Sequence, residues 1–204
     1  MLILDLLFPP RCVFCRGNSR LPICEGCQAG LPWITRQAGN AVAAPLRYTD
    51  RVRLAMHRYK YNGYALYDRT LGLLVTQAAR DAGFSEIDLC TFVPGSRLRA
   101  RNRGYDQAKR LCKATAAELG APWGRCLRKR RDTRSQVEMK DDAARRDNVR
   151  GAFAVTDGVA GKRILLIDDV CTTGATLSEC RETLLSAGAA EVFCAVAALA
   201  RADK

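Results

Sequence analysis

Residues 164–176 read Ile164, Leu165, Leu166, Ile167, Asp168, Asp169, Val170, Cys171, Thr172, Thr173, Gly174, Ala175, Thr176. Four successive apolar residues make a buried strand, two carboxylates stand at its carboxyl end, and a hydroxyl-rich turn with one glycine leads into a helix. At such a junction the first helical N–H groups have no intrahelical partner and the helix dipole adds positive charge, so an anion is held without a cationic side chain. Thr172, Thr173 and Thr176 add hydroxyl donors, and Gly174 lets the backbone approach closely. Asp168 and Asp169 would repel that anion, but they suit a pair of hydroxyls or the water shell of Mg²⁺. The implied ligand carries a phosphate at one end and a diol nearby, as a phosphorylated ribose does. An ordinary strand followed by a helix cap is the plain alternative, but caps seldom combine paired acids, three threonines and a glycine in this order.

This segment resembles the signature of the type I phosphoribosyltransferases. The resemblance implies binding of 5-phosphoribosyl-1-pyrophosphate (PRPP), with Asp168 and Asp169 at the ribose and Mg²⁺, and Thr172, Thr173, Gly174, Ala175 and Thr176 around the 5′-phosphate. It is not a P-loop, because that motif's lysine is missing and the turn is too short.

Near the amino end stand two Cys-x-x-Cys knuckles, Cys12 with Cys15 and Cys24 with Cys27. Four thiolates close a tetrahedron and leave no open position for a substrate, which predicts structural zinc. A disulfide framework needs an oxidising compartment, yet Asp5 interrupts the short apolar run at 1–8 and no basic segment with a cleavage site precedes Cys12. A redox Cys-x-x-Cys usually comes once. Cys90, Cys112, Cys126, Cys171, Cys180 and Cys194 show no ligand spacing and read as buried fillers of a reduced, cytoplasmic protein.

With 204 residues and 48% hydrophobic content, the chain can build one sizeable core and a small appendage. No apolar run approaches a bilayer span, so membrane insertion is not expected. The net charge of +12, from 33 Lys and Arg against 21 Asp and Glu, is concentrated between Arg97 and Arg150. That density favours polyanions, either pyrophosphate or a nucleic-acid backbone, over a merely solvated face.

Residues 1–8 read as a short helix ended by Pro9 and Pro10, and Pro32 with 39–45 reads as a linker, so the expected units are 1–44, a zinc-ribbon-like module, and 45–204. Helices are expected at 51–61, 70–82, 105–119 and 176–187. Strands are expected at 87–93, 124–127, 153–155, 163–167 and 191–199, with 128–149 as a mobile charged loop or arm. Alternating strands and helices argue for an α/β fold with a mostly parallel sheet, whose ligands sit at the strands' carboxyl ends.

The whole chain also resembles the ComF family of bacterial competence proteins. The resemblance rests on Tyr48, Lys60 to Gly63, Val93 and Pro94, Arg103 to Ala108, Arg130 to Gln136, Arg146 to Val149 and Phe153. Ser96 replaces a common proline, and Tyr105 and Asp106 replace Phe and Asn, which blurs the role of Asp106. By analogy with PRPP-binding folds, the turn after the Val93 strand faces the pyrophosphate and the arm at 128–136 closes over it. Arg97, Arg103 and Arg131, with Lys60 behind them, are the candidate contacts, since arginine's planar fork suits pyrophosphate.

Two functions follow from the resemblance. One is a PRPP-binding, phosphoribosyltransferase-like protein associated with single-stranded DNA in natural competence, with the basic 97–150 region and Tyr59, Tyr61, Tyr64 and Tyr105 as DNA contacts and an ATP-driven uptake helicase as a partner. The other is an active Mg²⁺-dependent phosphoribosyltransferase of nucleotide salvage, releasing pyrophosphate. Thr172 stands where some purine-using relatives carry a carboxylate, and no residue stands out as general base. Interdomain packing is an equally good reading of the tyrosines, and His57, the one histidine, has no acid or nucleophile placed beside it.

Overall fold

The computed structural model describes residues 10–36, 41–62, 65–95, 105–131, 147–156 and 158–200. In chain order its elements are α1 (Glu25–Gly30), β1 (Leu46–Arg47), α2 (Asp50–Asn62), α3 (Ala65–Asp81), β2 (Leu89–Phe92), α4 (Gln107–Leu119), β3 (Leu127–Lys129), β4 (Phe153–Val155), β5 (Arg163–Cys171), α5 (Ala175–Ser186) and β6 (Glu191–Leu199). Strands β1, β6, β5 and β2 lie side by side in that order, and each neighbouring pair is parallel. β3 and β4 form a separate antiparallel pair.

The apolar run of β5 decides the layering. Side chains alternate across a strand, so a run without polar interruption must be covered on both faces. Leu165 and Ile167 pack with Met56 and Tyr59 of α2, Leu71 and Val75 of α3 and Leu111 of α4. Ile164 and Leu166 face the other way, into a cluster with Leu177, Cys180 and Leu184 of α5 and with Leu127 and Phe153 of the small ribbon. The result is the expected parallel α/β architecture in three layers.

The knuckle segment joins the first of these cores: Cys12, Val13, Phe14, Ile23, Cys27 and Leu31 share a cluster with Leu46, Met56 and Tyr59. The stretch expected as a linker ends against the sheet, where Ala43 N donates to Cys194 O and Val196 N donates to Ala43 O, both at 2.9 Å. Residues 1–9, including the expected first helix, lie outside the described residues.

Several boundaries differ from expectation for identifiable reasons. α3 begins at Ala65 rather than 70, because Tyr67 is buried beside Tyr59 and Asp68 takes an ion pair from Arg110. β5 continues four residues past 167, because its ladder with β6 persists through Cys171. The strand expected at 124–127 lies at Leu127–Lys129, where it pairs with β4. The charged stretch therefore starts as a strand and not as a loop: Leu127 is buried while Arg128 points outward, a pattern that pairing with β4 supports and charge alone conceals. β1 has no counterpart among the expected strands, since two residues carry no period.

Helices α3 and α4 approach closely at Gly72, where an added Cβ would lie 2.6 Å from Ala114 Cβ and 3.0 Å from the Ala114 carbonyl carbon. Gly72→Val should therefore force the two helices apart and destabilise the protein by about 1–3 kcal/mol despite the better helix propensity. Urea unfolding measures this, and an unchanged midpoint would contradict the packing.

Candidate functional site

β2 and β5 are neighbours, but the helices that follow them go to opposite faces: α4 packs with the first core and α5 with the second. Between strands whose connections part in this way, a crevice opens at the carboxyl ends, and open α/β sheets bind ligands there. Val93, Pro94 and Gly95 border it from β2, and Val93 N donates to Ile167 O at 3.0 Å.

Asp168 and Asp169 enter this crevice from the last third of β5 and are half-buried. Asp169 N donates to Asp168 Oδ1 at 2.8 Å, and Val170 N donates to Asp169 Oδ1 at 2.7 Å. Burial first, and then the charge of Asp169, push the Asp168 carboxyl well above the usual carboxylate range, against the opposing pull of the Asp169 N–H and Lys60. Lys60 Nζ lies 2.8 Å from Asp169 Oδ2. Burial works against the Lys60 charge, but the attraction of Asp169 prevails and holds the ammonium above its ordinary value.

The hydroxyl-rich turn follows directly. Gly174 sits at φ 78° as the N-cap of α5, a left-handed conformation that glycine adopts without strain. Ala175 N is 3.4 Å from Thr173 Oγ1, and Thr172 is exposed. Gly174 has no side chain with which to cap α5, and Thr173 Oγ1 accepts from Ala175 N in its place, so the start of α5 and the hydroxyls of the turn stand together at the carboxyl end of β5 as a candidate anion site.

The structure also explains two stretches that carry the family resemblance. Tyr105 OH donates to Tyr59 O at 2.8 Å, Gln107 Nε2 donates to Lys60 O at 3.0 Å, and Tyr59 OH donates to Gln107 O at 3.1 Å. The last carbonyls of α2, which no helical N–H reaches, are thus satisfied by the start of α4, and this fixes the backbone that carries Lys60. Asp106 caps α4 by accepting from Lys109 N at 3.1 Å. The role of Asp106 is not legible as a departure from a family pattern; a short acceptor just before a helix is the signal that reveals it.

At the amino end the ligand atoms of Cys12, Cys15, Cys24 and Cys27 all lie within 4.8 Å of one another. Zn–S bonds of about 2.3 Å in a tetrahedron need S···S edges of about 3.8 Å, so the set fits zinc, and Cys15 Sγ and Cys24 Sγ stand 3.6 Å apart. Gly17 N points at Cys15 Sγ and Cys24 N at Cys12 Sγ, each at 3.4 Å. Burial opposes ionisation of Cys12, but backbone N–H groups of Cys15, Cys24 and Phe14 bring it down to about 6. Burial and the neighbouring thiols push Cys27 up to about 12. The other six cysteines are buried, as expected of fillers.

Of the residues expected at pyrophosphate, Lys60 is at the crevice but engaged by Asp169, while Arg131 is exposed and donates from Nη2 to Arg150 O at 2.8 Å. Arg97, Arg103 and 132–136 lie outside the described residues, as do Gly63, Tyr64 and the side chain of Tyr61. Tyr59 is fully buried and presents no stacking face, so packing is the correct reading of it; Tyr105 is half-buried, with its hydroxyl on Tyr59 O and the Arg110 guanidinium 4.9 Å from its ring centroid.

Folding raises the Asp168 pKa, so the folded state keeps a proton that the unfolded chain releases above about pH 4, and stability falls as pH rises through that value. Asp168→Asn should stabilise the protein at pH 7, with the gain closing below about pH 4; urea unfolding at both pH values reads this, and equal differences would refute it. Metal analysis should find about one zinc per chain, and chelation should lower Tm by roughly 5 °C or more, because the knuckle core depends on it. A metal-free protein of unchanged Tm would exclude the structural role.

A model described as "Phosphoribosyl transferase domain" matches residues 79–204, and one described as "Double zinc ribbon domain" matches 3–56. The "DNA utilization protein YhgH" of Salmonella typhi is 29% identical over 188 residues, which cover 90% of this chain and 80% of that protein. "Competence protein F" of Haemophilus influenzae is 28% identical, covering 89% of this chain and 93% of that protein. "Competence protein ComFC" of Streptococcus pneumoniae is also 28% identical, covering 89% and 77%. Among solved structures, a glutamine PRPP amidotransferase from B. subtilis aligns at 24% identity and TM-score 0.47 over 69% of this chain and 30% of that chain. The four clustered cysteines lie within the span of the zinc ribbon match, and the paired acids with the hydroxyl turn before α5 lie within that of the other model; the chain belongs to the phosphoribosyl transferase domain family, with homologues among the ComF-type competence and DNA utilization proteins.

Proposed function

We propose that this protein binds PRPP with Mg²⁺ at the β5 crevice and serves the handling of single-stranded DNA in natural competence, as a cytoplasmic protein of two units, 1–44 and 45–204. The observation that carries the reading is the succession along one stretch of backbone: two half-buried carboxylates, then the hydroxyl-bearing turn with Gly174 at positive φ, then the start of α5. Asp168 and Asp169 accept hydrogen bonds from the ribose diol and hold water on the metal. The α5 N–H groups with Thr172, Thr173 and Thr176 take the 5′-phosphate. Lys60, already beside Asp169, adds positive charge on the diol side, and Arg97, Arg103 and Arg131 are the further candidates for pyrophosphate. Mg²⁺, when bound, neutralises the charge of the pyrophosphate.

The competence and DNA utilization names of the relatives support the DNA side, as does the net charge of +12. An ATP-driven uptake helicase is the partner this role calls for. The alternative, transfer of phosphoribose to a nucleobase-like acceptor, uses the same pocket. It stands second because Thr172, exposed at the turn, offers no basic group for an acceptor's proton.

Among the described residues no helix is long and apolar enough to cross a membrane. Calorimetric titration with PRPP should show Mg²⁺-dependent binding, weakened at least about tenfold in Asp168→Asn with Asp169→Asn, as loss of charged hydrogen-bond partners requires. Pyrophosphate release should stay at background across a panel of nucleobases. Unaltered binding by the double variant would sink the site, and acceptor-dependent release would replace the binding role with the transferase.

A further inference from the structure

Trp123 is the one large aromatic side chain with substantial exposure among the described residues, at 39%. It is also rigidly mounted. Its backbone lies along the outer edge of β2, where Cys90 N donates to Pro122 O at 2.8 Å and Gly124 N donates to Cys90 O at 3.0 Å. The flank of α4 borders it: Lys113 Nζ stands 4.6 Å from the ring centroid and Lys109 Nζ 5.8 Å. The two lysines are four residues apart, so they share one face of the helix, one turn from each other. Arg125, exposed and two residues beyond Trp123, lies with its guanidinium 5.6 Å from the ring centroid of Phe92 and adds positive charge along the same edge of β2. None of these three cations makes an ion pair among the described residues.

An indole held at a fixed position and bordered by cations without a carboxylate partner has the two properties that bind an unpaired nucleotide strand: a flat π face for a base and positive charge for the phosphates on either side. We propose that Trp123, Lys109, Lys113 and Arg125 form a stacking platform for single-stranded DNA on the outer flank of α4. The proposal rests on the nucleic-acid part of the function above, and it places the contact on a different surface from the PRPP crevice and on a different aromatic residue from the tyrosines. The lysines lie over the indole in the free protein; when a base stacks, their ammonium groups are left to pair with backbone phosphates. Duplex DNA, whose bases are already stacked, offers no free base to the indole and gains only the charge attraction. A strand carrying no phosphate charge would gain only the stacking.

The chain has two tryptophans, and Trp33 is half-buried with Nε1 donating to Gln28 O at 2.7 Å. The Trp33→Phe variant therefore makes Trp123 the single tryptophan fluorophore. Titration with an oligothymidylate at low salt should quench its emission saturably, more strongly than a duplex at equal phosphate concentration. Trp123→Ala should weaken oligothymidylate binding roughly 5- to 100-fold by anisotropy of a labelled strand, while Trp123→Phe keeps most of it, as stacking on an aromatic face requires. Lys109→Gln with Lys113→Gln should reduce the slope of log K against log salt by about 1.4, or about 0.7 for each phosphate left without its lysine. Normal PRPP binding by each variant shows that it is folded. Oligothymidylate binding with unquenched Trp123 and full affinity in Trp123→Ala would overturn the platform and leave the DNA reading standing. Absence of any single-strand binding by the parent protein would overturn both.

Discussion

Burial of β5 on both faces is the constraint on which the rest of the structure depends. Ile164 to Ile167 have no accessible surface, so helices must cover both sides of the sheet. That requirement sends the connection after β2 to one face and the connection after β5 to the other, and the crevice at their carboxyl ends follows from the topology. The same strand then carries Asp168 and Asp169 into a half-buried place, where an isolated charge is expensive. The molecule meets that cost with backbone N–H groups, with the ammonium of Lys60 and, at Asp168, with a proton held above the usual range. A polar, partly desolvated pair at the end of an apolar strand is retained against the interest of stability, as ligand sites commonly are.

Helix α2 is where the parts meet. Three consecutive residues near its carboxyl end serve three different neighbours. Arg58 Nη2 donates to Phe14 O at 2.5 Å, between the first two cysteine ligands, and Arg58 Nε donates to Tyr67 OH at 3.2 Å. Tyr59 is fully buried and bonds to the start of α4, and Lys60 reaches Asp169. Zinc knuckle, helical layer and acidic pair are thereby tied to one turn of helix. The metal site is small and cannot close a core alone; its apolar residues are completed by Met56 and Tyr59.

Much of the fold is legible in the sequence because its signals are local. The period of α4, with Ala108, Leu111, Cys112 and Thr115 buried on one stripe and Gly120 in the left-handed cap, reads directly from the sequence. So do the knuckles, whose spacing is itself the chemistry, and the β5 turn. The position of β3 and the early start of α3 escape a local reading because their residues are held by partners distant in the chain: Arg128 by the β4 ladder and Asp68 by Arg110. Tyr59 invites a stacking role in the sequence because an aromatic residue beside cations reads alike whether the core covers it or water does.

The sequence by itself determined the elements whose cause lies within a dozen residues: the buried strand, the hydroxyl turn, the amphipathic helices and the four-cysteine spacing. The proposed ligand class of the turn rests on the same short span, since a helix start with paired acids before it has a chemistry of its own. Only the tertiary structure decided which distant groups complete the site. Lys60 and Asp169 are 109 positions apart in the chain, and their 2.8 Å contact exists because α2 packs on the face of the sheet toward which Asp169 alternates. The same holds for Trp123 beside Lys109 and Lys113, which the edge of β2 brings together. Local periodicity specifies which face of an element is apolar; which charges meet across two packed faces is set by the crossing of elements, and no window along the chain contains that information.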